Sequence, residues 1–268
     1  MKIPVLAILC LVATSPIALA FDKDDMATLK KTGSCPGCDL RAAKLQSEDF
    51  ADAYLKGVNL RDTILKGINL ENANLAAADL RRADLEKSNL TNANLESAIM
   101  RGADLEKATM KGANFRQADL RDTDFESADI QGGKFQDADI RKASFKRANL
   151  SDANLSDANL KNTNFKRAIM VNTILTDAEL KNTNFARANL TGARLEDTDL
   201  SHANFHRAIL TNANLAGAEV SDAAFWGADL SGANLEGVKD LEQHQLNVAC
   251  GDKKTVLPGN LTISNCGE

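Results

Sequence analysis

The residues whose types and spacing could do chemistry are few. Cys35 and Cys38 enclose a Pro-Gly dipeptide, which is the C-x-x-C spacing of redox centres and of half a zinc site. His202 and His206 could share a metal ion, but two ligands make a weak site, and surface decoration explains them better. No glycine-rich phosphate loop follows a strand and precedes a helix. What these side chains can do depends on where the chain places them.

A five-residue repeat organises most of the chain. Every fifth residue from Leu40 to Leu235 is Leu, Phe, Ile, Met or Val, over forty positions without an insertion. We call this central position i; position i−2 is almost always Ala or Thr. A helix would rotate the apolar residue by about 140° per repeat and leave no buried face. A plain strand has period two and nothing to close it. The pattern therefore predicts a coil in which each pentapeptide is one side.

The predicted coil has a defined inside and outside. Positions i and i−2 point inward, i−1 and i+1 point outward, and i+2 turns the corner, where Gly and Asn recur. Phenylalanine at position i is often spaced by twenty residues, so four pentapeptides per turn would stack like on like. The six members of that series are Phe125, Phe145, Phe165, Phe185, Phe205 and Phe225. Ancestral duplication of twenty-residue blocks would produce the same spacing of phenylalanines, and it is compatible with four pentapeptides per turn.

The repeat A-(D/N)-L-x-x, as in Ala73-Asn74-Leu75, resembles that of the pentapeptide repeat family over residues 38–237. The resemblance implies an all-β fold, a right-handed quadrilateral β-helix of about ten coils, with i and i−2 filling its interior. Three residues at i−2 depart from the small-residue pattern, all in the first two coils: Glu48, Val58 and Ile68.

The segments outside the repeat are interpreted separately. Residues 1–20 have the charged start, apolar run and Ala-x-Ala end of a signal peptide, with an uncleaved anchor as the alternative. We therefore expect a periplasmic or secreted protein with no membrane span after signal removal. Residues 21–37 are predicted to form an N-terminal cap with a short helix. Residues 238–268 are predicted to form a C-terminal cap, with a helix over Asp240–Ala249 that turns Leu241, Leu246 and Val248 towards the last coil.

The four cysteines outside the signal segment fall into two pairs, one in each cap. The caps lie at opposite ends of a rod of roughly 48 Å, because ten coils stack at about 4.8 Å each. One four-ligand zinc site within a chain is therefore excluded. An even count in an exported chain predicts disulfides, Cys35–Cys38 and Cys250–Cys266, with redox activity of the first pair as the alternative.

Acid–base catalysis needs carboxylates whose pKa values are shifted apart, and carboxylates on flat outer faces have no cleft that would do so. We therefore expect function in the outer faces themselves. One face carries an eight-coil ladder of Arg and Lys at i+1, which alone suggests a nucleic-acid groove. Acidic residues at i−1 interleave with it, so a self-paired face is expected and nucleic-acid binding is not.

A second face has six acids in three successive coils: Asp84, Glu86, Asp104, Glu106, Asp124 and Glu126. Farther along, that face turns basic: Lys146, Arg147, Lys166, Arg167, Arg187, His206 and Arg207.

An apolar corner is the third feature. Met170 and Leu175 occupy inward positions, which leaves Ile169, Val171 and Ile174 outside around one corner. Exposed aliphatic clusters can mark contact sites, although scattered apolar surface is common.

The resulting expectation is a non-enzymatic exported rod, without cofactor or metal, that acts as a protein-binding or structural module. Its protein partner is unknown, and a homodimer is one candidate. The family resemblance also implies an alternative from another class, since some cytosolic members mimic DNA and protect or inhibit type II topoisomerases. The acidic patch favours that alternative, whereas the signal peptide and the basic half argue against it.

Overall fold

The chain winds into coils of twenty residues. The structure is a computed structural model that describes residues 21–267, so the predicted signal peptide lies outside it. Parallel bridges join each i−1 residue to its counterpart twenty positions later, from Ser34 with Tyr54 to Glu219 with Lys239. The period inferred from phenylalanine spacing is therefore confirmed. Each side of the coil contributes a single bridging residue, so the ladder consists of isolated bridges rather than long strands.

The motif itself accounts for every backbone N–H of a repeat. In residues 73–77, the amides of Asn74, Leu75 and Ala77 donate to carbonyls of neighbouring coils at 2.7–2.8 Å, and Ala73 closes a local turn at 3.0 Å. The remaining amide, Ala76, donates to Oδ1 of Asn74 at 3.1 Å. An Asp or Asn at i−1 is thus the acceptor for the one amide that the coils cannot satisfy, and an unpaired buried amide is costly.

The core is a column of apolar side chains along the axis. All forty central residues are buried, and the most accessible, Phe50, is 8% exposed. The predicted phenylalanine series forms one continuous stack, with ring centroids 4.5–5.3 Å apart. Threonine fits at i−2 because its hydroxyl donates to a carbonyl of the preceding coil, as Thr123 does to Met100 at 3.0 Å. The inward assignment of i and i−2 is confirmed.

Corners are made by a left-handed residue at i+2. All forty of these residues, from 42 to 237, have φ between 54° and 71°. Only ten are glycine, and fifteen are Asp or Asn, which tolerate this conformation better than other side chains. The corner is therefore imposed by closure of the coil and its hydrogen bonds, even where Arg or Lys stands at i+2.

The N-terminal cap is a helix followed by the start of the ladder. Helix α1 spans Lys23–Thr32, with Asp22 as its N-cap and Gly33 as its C-cap. Its Leu29 is 1% exposed and covers the first coil. Nζ of Lys30 lies 2.9 Å from a carboxylate oxygen of Glu48. This ion pair explains how an acid can occupy an i−2 position, since the side chain of Glu48 is only partly buried. The bridge of Ser34 shows that the ladder begins within the predicted cap segment.

The C-terminal cap is less helical than predicted. Helix α2 spans only Gln243–Leu246, and two short parallel strands follow, β1 at Cys250–Gly251 and β2 at Ser264–Asn265. Leu246 is fully buried as expected, but Val248 is 44% exposed, so its predicted inward position is wrong. The chain returns to the ladder at Cys250, which leaves room for a single turn of helix. No helix within residues 21–267 is long and apolar enough to cross a bilayer.

Candidate binding face

The cysteines lie in the caps as two disulfides. Cys35 is bonded to Cys38 and Cys250 to Cys266, with Cα–Cα distances of 5.4 and 4.9 Å. One carboxylate lies near each pair, Asp25 near the first, but bonded sulfurs cannot supply the thiolates that a metal requires. The geometry therefore fits two staples that hold the ends of the rod.

His202 and His206 have separate surroundings. Nδ1 of His202 lies 3.6 Å from a carboxylate oxygen of Asp222, whereas the ring of His206 stacks on Trp226 with centroids 4.5 Å apart. Among residues 21–267, neither histidine belongs to a cluster of three metal-ligating side chains.

The face predicted to carry six acids is assembled as expected. Asp84, Asp104 and Asp124 are direct bridge partners in three successive coils, with Glu86, Glu106 and Glu126 beside them at i+1. We call these six residues the acidic stretch. The next coils on the same face, beginning opposite Ser144, are the basic ones. We call the side chains of Lys146, Arg147, Lys166, Arg167, Arg187 and Arg207 the basic stretch, and the whole surface the charged face.

The glutamate column and the aspartate column of the acidic stretch differ in whether Lys or Arg side chains neutralise them. Hydrogen bonds from Lys66 and Lys87 lower the pKa of Glu86 to about 2. The pKa of Asp104 is raised instead, first by burial and then by the charges of Asp84 and Asp124. Within the part of the chain that the structure describes, none of the three aspartates has a Lys or Arg within 4.0 Å. The column of Asp84, Asp104 and Asp124 is therefore a row of carboxylates without a cation partner at this distance.

The basic stretch is largely uncompensated too. At its boundary with the acidic stretch, Arg147 lies 2.6 Å and Lys146 3.8 Å from Glu126. Beyond this boundary, no described carboxylate lies within 4.0 Å of the cations of Lys166, Arg167, Arg187 or Arg207. The glutamates of the acidic stretch thus have internal partners, Glu106 in Lys107, whereas its aspartates and the basic stretch beyond Arg147 have none within 4.0 Å among the described residues.

Sequence reasoning missed the aromatic end of the charged face. Trp226 follows the basic stretch at the same i+1 position and is 48% exposed. His206 stacks on it, and the guanidinium carbon of Arg207 lies 4.9 Å from the ring centroid. The signal in the sequence is that the only Trp of the chain stands twenty residues after a His at i+1, so the stacking of coils places the two rings together.

The other basic ladder is self-paired, as predicted. Arg41 lies 2.6 Å from Asp39, Arg141 lies 2.6 Å from Asp139, and Lys161 lies 2.9 Å from Glu179. Seven of its eight cations lie within 4.0 Å of a carboxylate, and Lys181 is the one without such a partner among the described residues.

The apolar corner faces outward but is only partly open. Ile169 is 46% exposed, while Val171 and Ile174 are half-buried by their neighbours. Ile209, two coils later in the same column, is 43% exposed. The corner residue Arg167 separates this cluster from the charged face, so the two surfaces are neighbours rather than one patch.

Comparison with known proteins agrees with this architecture. The family model described as Pentapeptide repeat region matches residues 79–155 and 148–235, and the one described as Pentapeptide repeats (8 copies) matches residues 35–72. The crystal structure of HetL, a pentapeptide repeat protein involved in heterocyst differentiation regulation from the cyanobacterium Nostoc sp. strain PCC 7120, superimposes with a TM-score of 0.75. It is 29% identical, over 78% of this chain and 94% of HetL.

Two further solved structures are similar to a lesser degree. Rfr23 from the cyanobacterium Cyanothece 51142 is 26% identical over 43% of this chain and 96% of its own, with a TM-score of 0.30. QnrB1, a plasmid-mediated fluoroquinolone resistance protein, is 20% identical over 70% and 92%, with a TM-score of 0.36. Neither superposition is close enough to support a conclusion, and no curated protein sequence matches. From the family models, which cover more than half of its length, the chain belongs to the pentapeptide repeat family.

Proposed function

We propose that this chain is a non-enzymatic, exported, right-handed rod of about ten coils that acts by binding a protein through its outer faces. The observation that carries the proposal is the charged face, where rigid coils hold a row of aspartates and a row of cations that have no ion-pair partner among the described residues. Such rows keep their spacing because each coil is hydrogen-bonded to the next. A surface of this kind recognises a partner by charge complementarity rather than by chemistry on a bound substrate.

Export is supported by two independent features of the chain. Residues 1–20 have the composition of a signal peptide, and all four cysteines of residues 21–267 are joined in disulfides. Disulfides persist in oxidising compartments and are rare in the cytosol. The proposed location is therefore the periplasm or the outside of the cell.

The alternative function is a DNA mimic that protects or inhibits a topoisomerase, and the acidic stretch favours it. A DNA-like surface, however, requires negative charge along its length. Here the acidic stretch covers three coils, and the following coils present Arg147, Arg167, Arg187 and Arg207 at the same corner. The charge order supports the exported binding rod over the mimic.

Mass spectrometry of the protein from cell fractions tests the location. We expect a mature chain that begins at Phe21, in the periplasmic or medium fraction, with both disulfides formed and no free thiol. Retention of residues 1–20 in a cytosolic protein with free thiols would contradict export. That outcome would call for a supercoiling assay with purified gyrase, in which inhibition or protection would establish the alternative.

The apolar corner provides a second test of binding. We expect the triple change Ile169→Asn, Val171→Ser and Ile174→Asn to leave the circular dichroism and melting temperature close to those of the parent, since the core is untouched. Partner capture or self-association in pull-down and sedimentation measurements should fall. The matched control is Ile99→Asn, because Ile99 is 37% exposed on another face. A triple variant that keeps every interaction of the parent would reduce the corner to ordinary surface.

A further inference from the structure

The charge order along the charged face is self-complementary. From the N-terminal side, the i+1 column carries Glu86, Glu106 and Glu126 and then Lys146 and Lys166, one residue per coil, and the arginines of the basic stretch stand beside it at the i+2 corner. A two-fold axis that lies in the plane of the interface, perpendicular to the rod axis and between the coils of Glu126 and Lys146, sets a second copy against this face in antiparallel orientation. It sets the coil of Glu126 opposite that of Lys146, Glu106 opposite Lys166, and Glu86 opposite Arg187.

We infer that the charged face binds a second copy of this chain in antiparallel orientation, so that the acidic stretch of each copy meets the basic stretch of the other. Such an interface is isologous, since every contact occurs twice. The inference rests on the proposed binding function, because it names the partner of the same face.

The match of spacing favours a second copy over an unrelated anionic or cationic partner. Both rods repeat their charged rows at the coil spacing of about 4.8 Å, so three acidic coils face three basic coils without drift. An extended peptide or a polyanion has a different repeat and can satisfy only the stretch of opposite charge. A second copy satisfies both stretches at once.

The electrostatics of the isolated chain point the same way. The column of Asp84, Asp104 and Asp124 places like charges in adjacent coils, and the cations of Lys166, Arg167 and Arg187 lack a carboxylate neighbour among the described residues. In an opposing copy Lys146 and Lys166 would face Glu126 and Glu106, so the copy adds positive charge beside the aspartate row and negative charge beside the basic stretch. Single exposed pairs contribute little, but several in one network act together and are weakened by salt.

A charge-swap experiment on the chain without residues 1–20 tests this interface. One variant carries Glu86→Lys and Glu106→Lys, and the other carries Lys166→Glu and Arg187→Glu. Each variant repels its own copies, so we expect self-association at about 0.1 M salt to weaken by about tenfold or more in sedimentation equilibrium. An equimolar mixture should dimerise again, because the two faces become complementary. The four changes in one chain should also restore a homodimer.

Controls come from the opposite face and from salt. Reversal of Glu96 and Glu236 to Lys, or of Lys56 and Arg116 to Glu, changes the same number of exposed charges and should leave the dimer unchanged. The parent dimer should dissociate at about 1 M salt, where the Debye length is about 3 Å. If a reversal variant melts early, Glu106→Gln and Lys166→Gln replace it, and each should weaken the parent dimer.

Three results would overturn the inference: a parent that is monomeric at low salt, double variants that dimerise like the parent, or a mixture that stays monomeric. These results would leave the proposed function open, because its own tests are the cellular location and the apolar corner. Conversely, a cytosolic protein with free thiols would refute export whatever the mixing experiment shows.

Discussion

Leu160→Asp is expected to unfold the rod. Leu160 is a central residue with 0% exposure in the middle of the repeat, and the buried side chains of the described residues are apolar apart from a few Thr, Ser and Gln, so a carboxylate there has no cation beside it. Burial of an unpaired charge costs at least several kcal/mol, a large part of the net stability of a typical domain. Circular dichroism should show loss of the folded signal, or a melting temperature far below that of the parent.

The control for this prediction is Ser156→Asp. Ser156 lies at an outward i+1 position of the same region and is only half-buried, so the new carboxylate reaches solvent. We expect its effect on the free energy of unfolding to stay within about 0.5 kcal/mol. Equal melting curves for the two variants would contradict the inward and outward assignment of the repeat.

Phe165→Ala is expected to cost about 3–5 kcal/mol of unfolding free energy, because it opens a cavity in the phenylalanine stack. Phe165 is fully buried, and its ring lies 5.1 Å from that of Phe145 and 5.3 Å from that of Phe185. The loss is in the middle of a solenoid, where each coil contacts only its neighbours, so it should also uncouple the two halves of the rod. The denaturant unfolding curve should then show two steps, or its midpoint should move to a lower denaturant concentration.

Phe165→Leu is the matched control, since leucine is the commonest central residue and fills most of the same space. It should cost clearly less than the alanine change. If alanine and leucine variants unfold at the same denaturant concentration as the parent, the stack does not stabilise the rod.

Much of the surface could also be predicted, for a reason specific to this fold. Once the coil length is twenty residues, every outward residue has a known neighbour one coil away, so Asp84, Asp104 and Asp124 fall into one column without any further information. The acidic and basic stretches were therefore visible in the sequence. Which of these charges are neutralised could not be predicted, because long side chains such as Lys66 and Arg147 reach partners in adjacent columns or coils, and only the tertiary structure decides which partner each one reaches.

The ends of the chain show where periodic reasoning stops. Outside the repeat there is no register, so the predicted helix over Asp240–Ala249 rested on local pattern alone. In the structure Gln245 turns its amide towards the carbonyls of Val220 and Ala223, at 3.0 and 2.9 Å, and so caps the last coil. That contact and the return to the ladder at Cys250 confine the helix to one turn and leave Val248 exposed.

The sequence by itself determined the coil, its inward and outward positions and the order of charges along each face. It could do so because a uniform five-residue period allows only one way to bury every central residue. Tertiary structure alone decided the caps, the ion pairs that neutralise Glu86 but not Asp104, and the stacking of His206 on Trp226. These depend on side-chain reach and on contacts between segments far apart in the chain, which no local pattern specifies.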